Sequence, residues 1–464
     1  MTDILDDLTW RGLLAHSTDL DDLREVLDAG PATLYGGFDP TAPGLHIGHL
    51  ALLLTMRRFQ LAGHRPIGLV GGATGLIGDP SGKSAERLLN SRDVVAGWVE
   101  RIRSEVSRFL DFTPGQASAV LVSNLDWTEG LSALEFLRDI GKHFPVNQML
   151  SRESVRARLE SGGISYTEFS YQILQAYDFL ELHRRHDCVL QLGGSDQWGN
   201  LVAGVDLIRR VTGTSAHALA IPLITKPDGT KYGKTEGGAV WLSADLMSPY
   251  AFYQFWINRA DAEVPGLLRV FTFRSRNEIT ELEREITERP AARTAQRVLA
   301  DDVTTLVHGA AECAAAVAAS RALFGQGDLR AVDERTLAAA LAEVPFVKVR
   351  PREEAAGRPR RPGSAAPPGP APLPTGLGTL PKVADLMAEV GLTASKSAAR
   401  RAIAEGGAYL NNVKVTDADV VPRPGDLLHG RFLVLRRGKR TVGGVEVTRD
   451  TVGGGEMTRD WTRD

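Results

Sequence analysis

Cysteine is nearly absent: the 464 residues contain two, Cys188 and Cys313. Thiols so few and so far apart argue against a disulfide framework or a cysteine zinc site, and they fit a reducing compartment. Long apolar runs are missing too. No stretch approaches the ~18 consecutive apolar residues that a membrane-spanning helix needs. The N-terminus, MTDILDDLTWRG, is acidic and lacks the apolar core of a secretion signal. Aromatic residues make up 6%, and the formal net charge is −3. A balance so close to neutral says nothing about nucleic acid, because opposite signs can sit in different domains. What is present, 43% hydrophobic and 24% charged residues, is the composition of a globular protein. We expect a cytoplasmic, multidomain chain with no membrane contact and no protein-bound metal.

Residues 35–49, YGGFDPTAPGLHIGH, carry the densest chemistry. Leu34 and Tyr35 lead in as a strand, and Gly36 and Gly37 let another group approach the backbone. Asp39, Pro40 and Thr41 read as a loop, and His46 to His49 open an apolar helical run. A helix start with free N–H groups suits a phosphate. Gly48, between the two histidines, leaves room for a flat ring on the backbone. A surface turn with solvated histidines is the alternative.

The same grammar recurs. A short strand at 67–70 runs into GGATGLIGDPSGKS, which sets Asp79, Lys83 and Arg87 beside flexible backbone. Its glycine spacing is not that of a Walker A loop. A third strand at 119–122 ends at Ser123-Asn124, before Asp126-Trp127. Residues 168–182 form an apolar helix on which Tyr171, Gln175 and Asp178 fall in one polar stripe, either its solvent side or a lined pocket. A strand at 188–192 then meets Gly193, Gly194, Ser195, Asp196 and Gln197, where a carboxylate beside glycines can accept from ribose hydroxyls. After a last strand at 220–224 comes a glycine-rich loop with Lys226, Lys231 and Lys234, suited to closing over phosphates.

Alternating strands and helices predict an α/β fold, a Rossmann-like parallel sheet with ligands at the carboxyl ends of its strands. We expect this catalytic domain over residues 1–247 and an α-helical domain over 248–349. A Pro/Gly/Ala/Arg-rich linker then spans 350–381. A small α+β domain occupies 382–440. It has a basic helix bearing Lys396, Arg400 and Arg401, and a tight turn at Asn411-Asn412 followed by Lys414. Basic charge on such a module suggests RNA binding through the backbone. A strand is expected over 427–435. The tail, 441–464, repeats TVGG-E-TRD at a period of ten and is expected to be disordered and without chemistry.

Together these motifs resemble the bacterial tyrosyl-tRNA synthetases, a class I aminoacyl-tRNA synthetase family. The resemblance is most specific over residues 34–240 and returns at 384–435 as an S4-like RNA-binding domain. His46-Ile47-Gly48-His49 looks like the HIGH-type signature, and Lys231-Tyr232-Gly233-Lys234-Thr235 like the KFGKT form of the second, with Tyr for Phe. The resemblance implies that Tyr35 and Asp178 bind a substrate phenol, that Asp79, Tyr171 and Gln175 hold its ammonium group, and that Gln197 lies near its carboxylate. Gly37, Asp39, Gly48, Gly194 and Asp196 would bind the nucleotide. Thr41, His46, His49, Lys83, Arg87, Lys231, Lys234 and Thr235 would hold ATP or the transferring phosphates. The expected substrates are L-tyrosine, ATP with Mg2+, and tRNA(Tyr), and the expected assembly is a homodimer. Gly36 and Leu52 depart from small polar residues that relatives can carry near the nucleotide. A different nucleotidyltransferase, a tryptophan-specific relative and a non-catalytic RNA-binding paralogue are the rival readings. The first two would not pair Tyr35 with Asp178, and the third predicts damage to a signature.

Overall fold

The computed structural model describes residues 3–79, 91–161, 163–225, 234–235, 238–351 and 379–448. They fall into two compact units, Met1–Met247 with Gln254–His308, and Ser248–Tyr253 with Gly309–Asp464.

The first unit is built on six strands: β1 (His16–Ser17), β2 (Thr33–Phe38), β3 (Arg65–Val70), β4 (Val120–Ser123), β5 (Cys188–Gly194) and β6 (His217–Ile221). Their order is β1-β6-β5-β2-β3-β4. Neighbours from β4 to β6 run parallel, and β1 joins the β6 edge antiparallel. β3 and β6 are buried almost end to end, as strands covered on both faces must be. Because β3 and β5 flank β2 on opposite sides, a crevice opens beyond the carboxyl ends of β2 and β5, where ligands bind in such sheets.

Strand alternation assigns the two faces. Tyr35 turns toward the helix Tyr166–His186, with its ring 5.3 Å from that of Phe179. Its neighbour Gly36 turns toward the helix Ile47–Leu61, where an added Cβ would lie 2.7 Å from Met56 Sδ. Leu50, Leu53, Met56 and Phe59 of that helix are fully buried, each worth ~1.5–3 kcal/mol of apolar burial. Two guanidiniums, Arg58 from this helix and Arg11 from the helix Ile4–Arg11, meet the C-terminal end of the helix Val264–Phe271. Arg58 donates to the Val270 and Thr272 carbonyls at 2.9 and 2.7 Å, and Arg11 donates to the Arg269 carbonyl at 3.0 Å. Cations there face the negative end of the helix dipole. Burial, with Arg11 close by, lowers the Arg58 guanidinium to about 9.

One expectation shifts here, and one strand is added. The last parallel strand is β6 at His217–Ile221, not 220–224, because Pro222 has no N–H to extend the ladder and Leu223 is exposed. The break between the helices Ile4–Arg11 and Leu20–Asp28 is itself the strand β1.

In the second unit, β9 (Phe346–Val349), β10 (Ala408–Leu410), β11 (Val413–Lys414), β12 (Phe432–Arg437) and β13 (Thr441–Val447) form a sheet in the order β11-β10-β12-β13-β9. Two further strands, β7 (Lys234–Thr235) and β8 (Gly238–Ala239), pair with each other in the first unit. Asn411 and Asn412 both have positive φ, 47° and 67°, as the expected hairpin turn requires. The strand expected over 427–435 starts later, at Phe432, since His429 and Gly430 turn the chain at φ 51° and 68°.

The tail expectation needs correction. Thr441–Val447 is β13, held between β12 and β9, with Val442, Val445 and Val447 buried. Its two glycines hide the alternating pattern, yet they fit because neighbours come close. An added Cβ on Gly444 would lie 2.7 Å from the Phe346 ring. Residues 449–464 lie outside the described residues. The helical region 248–349 is likewise not one unit. Residues 254–308 cluster with the first unit, whereas the helices Ala310–Leu323 and Glu334–Ala342, with β9, belong to the second. The proline-rich segment therefore leaves the second unit's sheet after Val349 and rejoins the same unit's core at Leu380. Of that segment, residues 352–378 are not described. Among the described residues no helix is long and apolar enough to cross a membrane.

Candidate active site

His46 is not in the helix it introduces. Its backbone is extended (φ −122°, ψ 174°), and it caps the helix Ile47–Leu61. His46 Nδ1 accepts from the Gly48 N–H at 3.1 Å, and His49 Nδ1 accepts from the His46 N–H at 3.2 Å. Both rings spend Nδ1 as an acceptor, so the proton of each neutral imidazole sits on Nε2, the nitrogen that donates. The rings stack at 4.0 Å. Gly48 makes this possible, since a Cβ there would lie 2.9 Å from His46 Cε1. The flat ring packed on the Gly48 backbone is therefore His46's own. Burial first, then the neighbouring His46, pushes the His49 ring well below its ordinary value and keeps it neutral.

The polar stripe of the helix Tyr166–His186 faces inward. Tyr171 and Asp178 are buried, and Gln175 is half-buried. Trp127 Nε1 donates to Asp178 Oδ1 at 2.8 Å, and Asn124 Nδ2 donates to Oδ2 at 3.0 Å. Despite these donors, burial pushes the Asp178 carboxyl up to about 7. Tyr35 is buried, and its hydroxyl finds no partner among the described residues. Its phenol is pushed well above its ordinary value by burial, then by Asp178, so it remains a donor. Tyr171 donates to Asp39 Oδ2 at 2.5 Å, and Thr74 Oγ1 donates to Asp39 Oδ1 at 2.6 Å. Asp39, expected with the nucleotide, is thus tied to Tyr171. Gln197 Nε2 donates to Asp79 Oδ2 at 2.5 Å, joining the β5 end to the β3 end. Three carboxylates, Asp39, Asp79 and Asp178, raise the Tyr171 phenol after burial does.

Asn124 Nδ2 also donates to Thr74 Oγ1 at 3.0 Å, which links the polar groups at Asp178 and Tyr35 to the acidic groups at Asp39 and Asp79. Such a row of groups suits a molecule with a hydroxyl at one end and a cation at the other. Gly37 and Thr41 lie at the β2 end, and Gly194 and Asp196 at the β5 end. Lys83, Arg87 and Lys231 fall outside the described residues. Lys234 and Thr235 form β7, and only their backbone is described. In the second unit, Lys396, Arg400 and Arg401 are exposed on the helix Lys396–Ala404, and Lys414 is exposed on β11. Lys396 pairs with Asp385 at 2.9 Å and Arg400 with Asp419 at 3.0 Å, so part of the basic charge is already matched.

Sequence reasoning missed Asn124, Trp127 and Thr74 as partners in the pocket. Asn124 and Trp127 stood at a strand end, the one available signal. Nothing in their spacing named a carboxylate more than fifty residues away as what they bond.

Comparison with known proteins gives the family. Residues 27–325 match the family model of class I tRNA synthetases (W and Y), and residues 378–442 match the SYY-like C-terminal domain of tyrosine–tRNA ligase. The tyrosine–tRNA ligase of Streptomyces coelicolor is 60% identical over 450 residues, 97% of this chain and 100% of that one. The tyrosine–tRNA ligase of Acidothermus cellulolyticus is 59% identical over 96% of this chain and 99% of that one. Among solved structures, a C-terminally truncated mitochondrial tyrosyl-tRNA synthetase from Aspergillus nidulans is similar at a TM-score of 0.64 and 28% identity, covering 69% of this chain and 94% of that one. The chain belongs to the class I tRNA synthetases of the tryptophan and tyrosine family.

Proposed function

We propose that this chain is a tyrosine–tRNA ligase whose first unit activates L-tyrosine and whose second unit serves tRNA(Tyr). The observation that carries the tyrosine reading is the buried Asp178, held by Asn124 and Trp127 beside the unpartnered Tyr35 hydroxyl. A phenol would satisfy both groups, donating to Asp178 and accepting from Tyr35; a phenylalanine ring would leave both unpaired, and an indole N–H, which only donates, would leave the Tyr35 hydroxyl without an acceptor. Asp79, Tyr171 and Gln175 hold the ammonium group, with Asp39 orienting Tyr171, and Gln197 sits near the carboxylate. The tyrosine carboxylate oxygen attacks the α-phosphorus of ATP, which enters with Mg2+. The bond to the β-phosphate breaks, and tyrosyl-adenylate and pyrophosphate form. The carboxylate is already ionised, so no general base is needed, and catalysis is positioning plus charge stabilisation. The Nε2–H groups of His46 and His49 donate to phosphate oxygens, supported by Lys83, Arg87, Lys231, Lys234 and Thr235. Gly194 and Asp196 take the ribose. A hydroxyl of the 3′-terminal ribose of tRNA then attacks the tyrosyl carbonyl carbon and AMP leaves. Lys396, Arg400, Arg401 and Lys414 contact the RNA backbone.

The protein works in the cytoplasm as a homodimer. The exposed large side chains Leu134 (81% exposed), Val146 (59%) and Tyr166 (67%) of the first unit support a second copy packing against it. The deciding assay is amino-acid-dependent exchange of pyrophosphate into ATP, run with tyrosine, phenylalanine and tryptophan. Exchange with tryptophan in preference to tyrosine would overturn the substrate, and no exchange at all would overturn the enzyme.

A further inference from the structure

One charged network in the first unit, buried at Glu105 and exposed at Asp245, touches neither pocket nor phosphate candidates, yet it holds the backbone beside both signatures. The helix Arg92–Val106 carries Arg101 and Glu105 one turn apart. Glu105 is buried, and its Oε2 accepts from the Leu45 N–H at 2.6 Å, one residue before His46. Its Oε1 accepts from Arg101 Nε at 3.3 Å. Arg101 Nη2 donates onward to Ser243 Oγ at 2.9 Å and to both Asp245 oxygens at 2.6 and 2.7 Å. Between these two anchors the chains run side by side. The Leu242 N–H donates to the Leu45 carbonyl at 2.9 Å, the Ile47 N–H donates to the Val240 carbonyl at 3.1 Å, and His46 faces Trp241 across an antiparallel bridge. Residues 240–242 directly follow β8, the partner strand of Lys234–Thr235.

We infer that Arg101 and Glu105 are positioning residues for adenylate formation: from one helix they fix the backbone entering the 46–49 signature and the backbone leaving the 231–235 signature. This rests on the reading of those two segments as the phosphate-handling groups. The physical argument is distance. A group on the second signature stabilises a transferring phosphate only if the backbone that follows it is held at a set separation from the histidines, and a shift of about 1 Å can cost ~10²-fold in rate. A charged, forked side chain meeting a buried carboxylate on one side and a loop carboxylate on the other sets such a separation with fixed geometry. Asp245 is held down to about 2, first by the Ser243 hydroxyl and then by Arg101, so the outer end stays ionised at any working pH.

The test uses the full-length protein and single-turnover formation of tyrosyl-adenylate, alongside equilibrium tyrosine binding. Arg101→Met is expected to slow the step by about 10–100-fold while tyrosine affinity stays within about twofold. Asp245→Asn leaves no buried charge behind and keeps the test open if Arg101→Met folds poorly. It is expected to slow the step by about 3–10-fold. In a Lys234→Ala background, Arg101→Met should cost less than about threefold more, because both act through one loop; full multiplication of the two losses would overturn the inference. So would rates within twofold of the parent in both Arg101→Met and Asp245→Asn, or tyrosine affinity falling in step with rate. If Lys234→Ala alone keeps the parental rate, the signature reading falls. The single variants at Arg101 and Asp245 then still decide the clamp.

Discussion

Trp127 and Asp178 meet through one hydrogen bond, indole N–H to carboxylate at 2.8 Å, at the buried end of the candidate tyrosine pocket. That contact, with Asn124 on the other oxygen, aims the carboxylate. Strong rejection of phenylalanine is a well-known property of tyrosyl-tRNA synthetases as a family. Phenylalanine lacks the hydroxyl to complete the set, so discrimination in this chain should depend also on residues that never touch the substrate. Trp127→Phe should cost ~1–2 kcal/mol in the ratio of kcat/KM for tyrosine over phenylalanine, Tyr35→Phe about 1, and Asp178→Ala ~2–4. A parental ratio in all three variants would remove Asp178 from the substrate's phenol.

Tyrosine affinity should depend on pH through Asp178. Its folded-state value of about 7 lies above the ordinary 3.8. Its proton therefore favours the folded state below that ordinary value, and the contribution is lost as the pH rises through about 7. A phenol donor selects the ionised carboxylate, so tyrosine binding should weaken by about tenfold from pH 8 to pH 6. Asp178→Asn should flatten the curve. Equilibrium dialysis across this range checks it, and a flat parental curve would mean Asp178 is ionised throughout.

Arg158 and Glu168 form a bidentate pair at 3.0 and 2.9 Å, with both side chains under 10% exposed. They join the helix Glu153–Ser161 to the first turn of the pocket helix. Glu168→Gln takes the carboxylate out of a buried bidentate pair and should cost ~3–5 kcal/mol of unfolding free energy. An apolar pair at both positions should recover most of it. Urea titration of the three proteins decides, and a single-variant cost under ~1 kcal/mol would mean water reaches the pair.

The two halves of the C-terminal repeat should behave differently. Removing residues 449–464 leaves every described strand intact, and both activation and tRNA charging should stay within about twofold. Removing 441–464 strips β13 from between β12 and β9 and takes the buried Val442, Val445 and Val447 with it, a loss of ~4.5–9 kcal/mol of apolar burial. Charging should then collapse while tyrosyl-adenylate formation survives in the first unit. Equal activity of the two truncated proteins would show that β13 is dispensable.

Much of the fold and the pocket is legible in the sequence alone. The strand–glycine–helix grammar of residues 35–49 and the Asn411-Asn412 hairpin depend on local spacing and turn chemistry, which a sequence carries directly; spacing groups Tyr171 and Asp178 on one stripe, but only the structure turns that stripe inward. The β13 strand was not legible, because Gly443 and Gly444 break the alternation and are tolerated only where Phe346 and Leu341 approach from elsewhere. Asp39 tied to Tyr171, and Asn124 and Trp127 on Asp178, were decided by tertiary structure alone. Hydrogen bonds between side chains far apart in sequence follow from how the parallel strands bring their carboxyl ends together, and residue type at one position does not name its partner at the other.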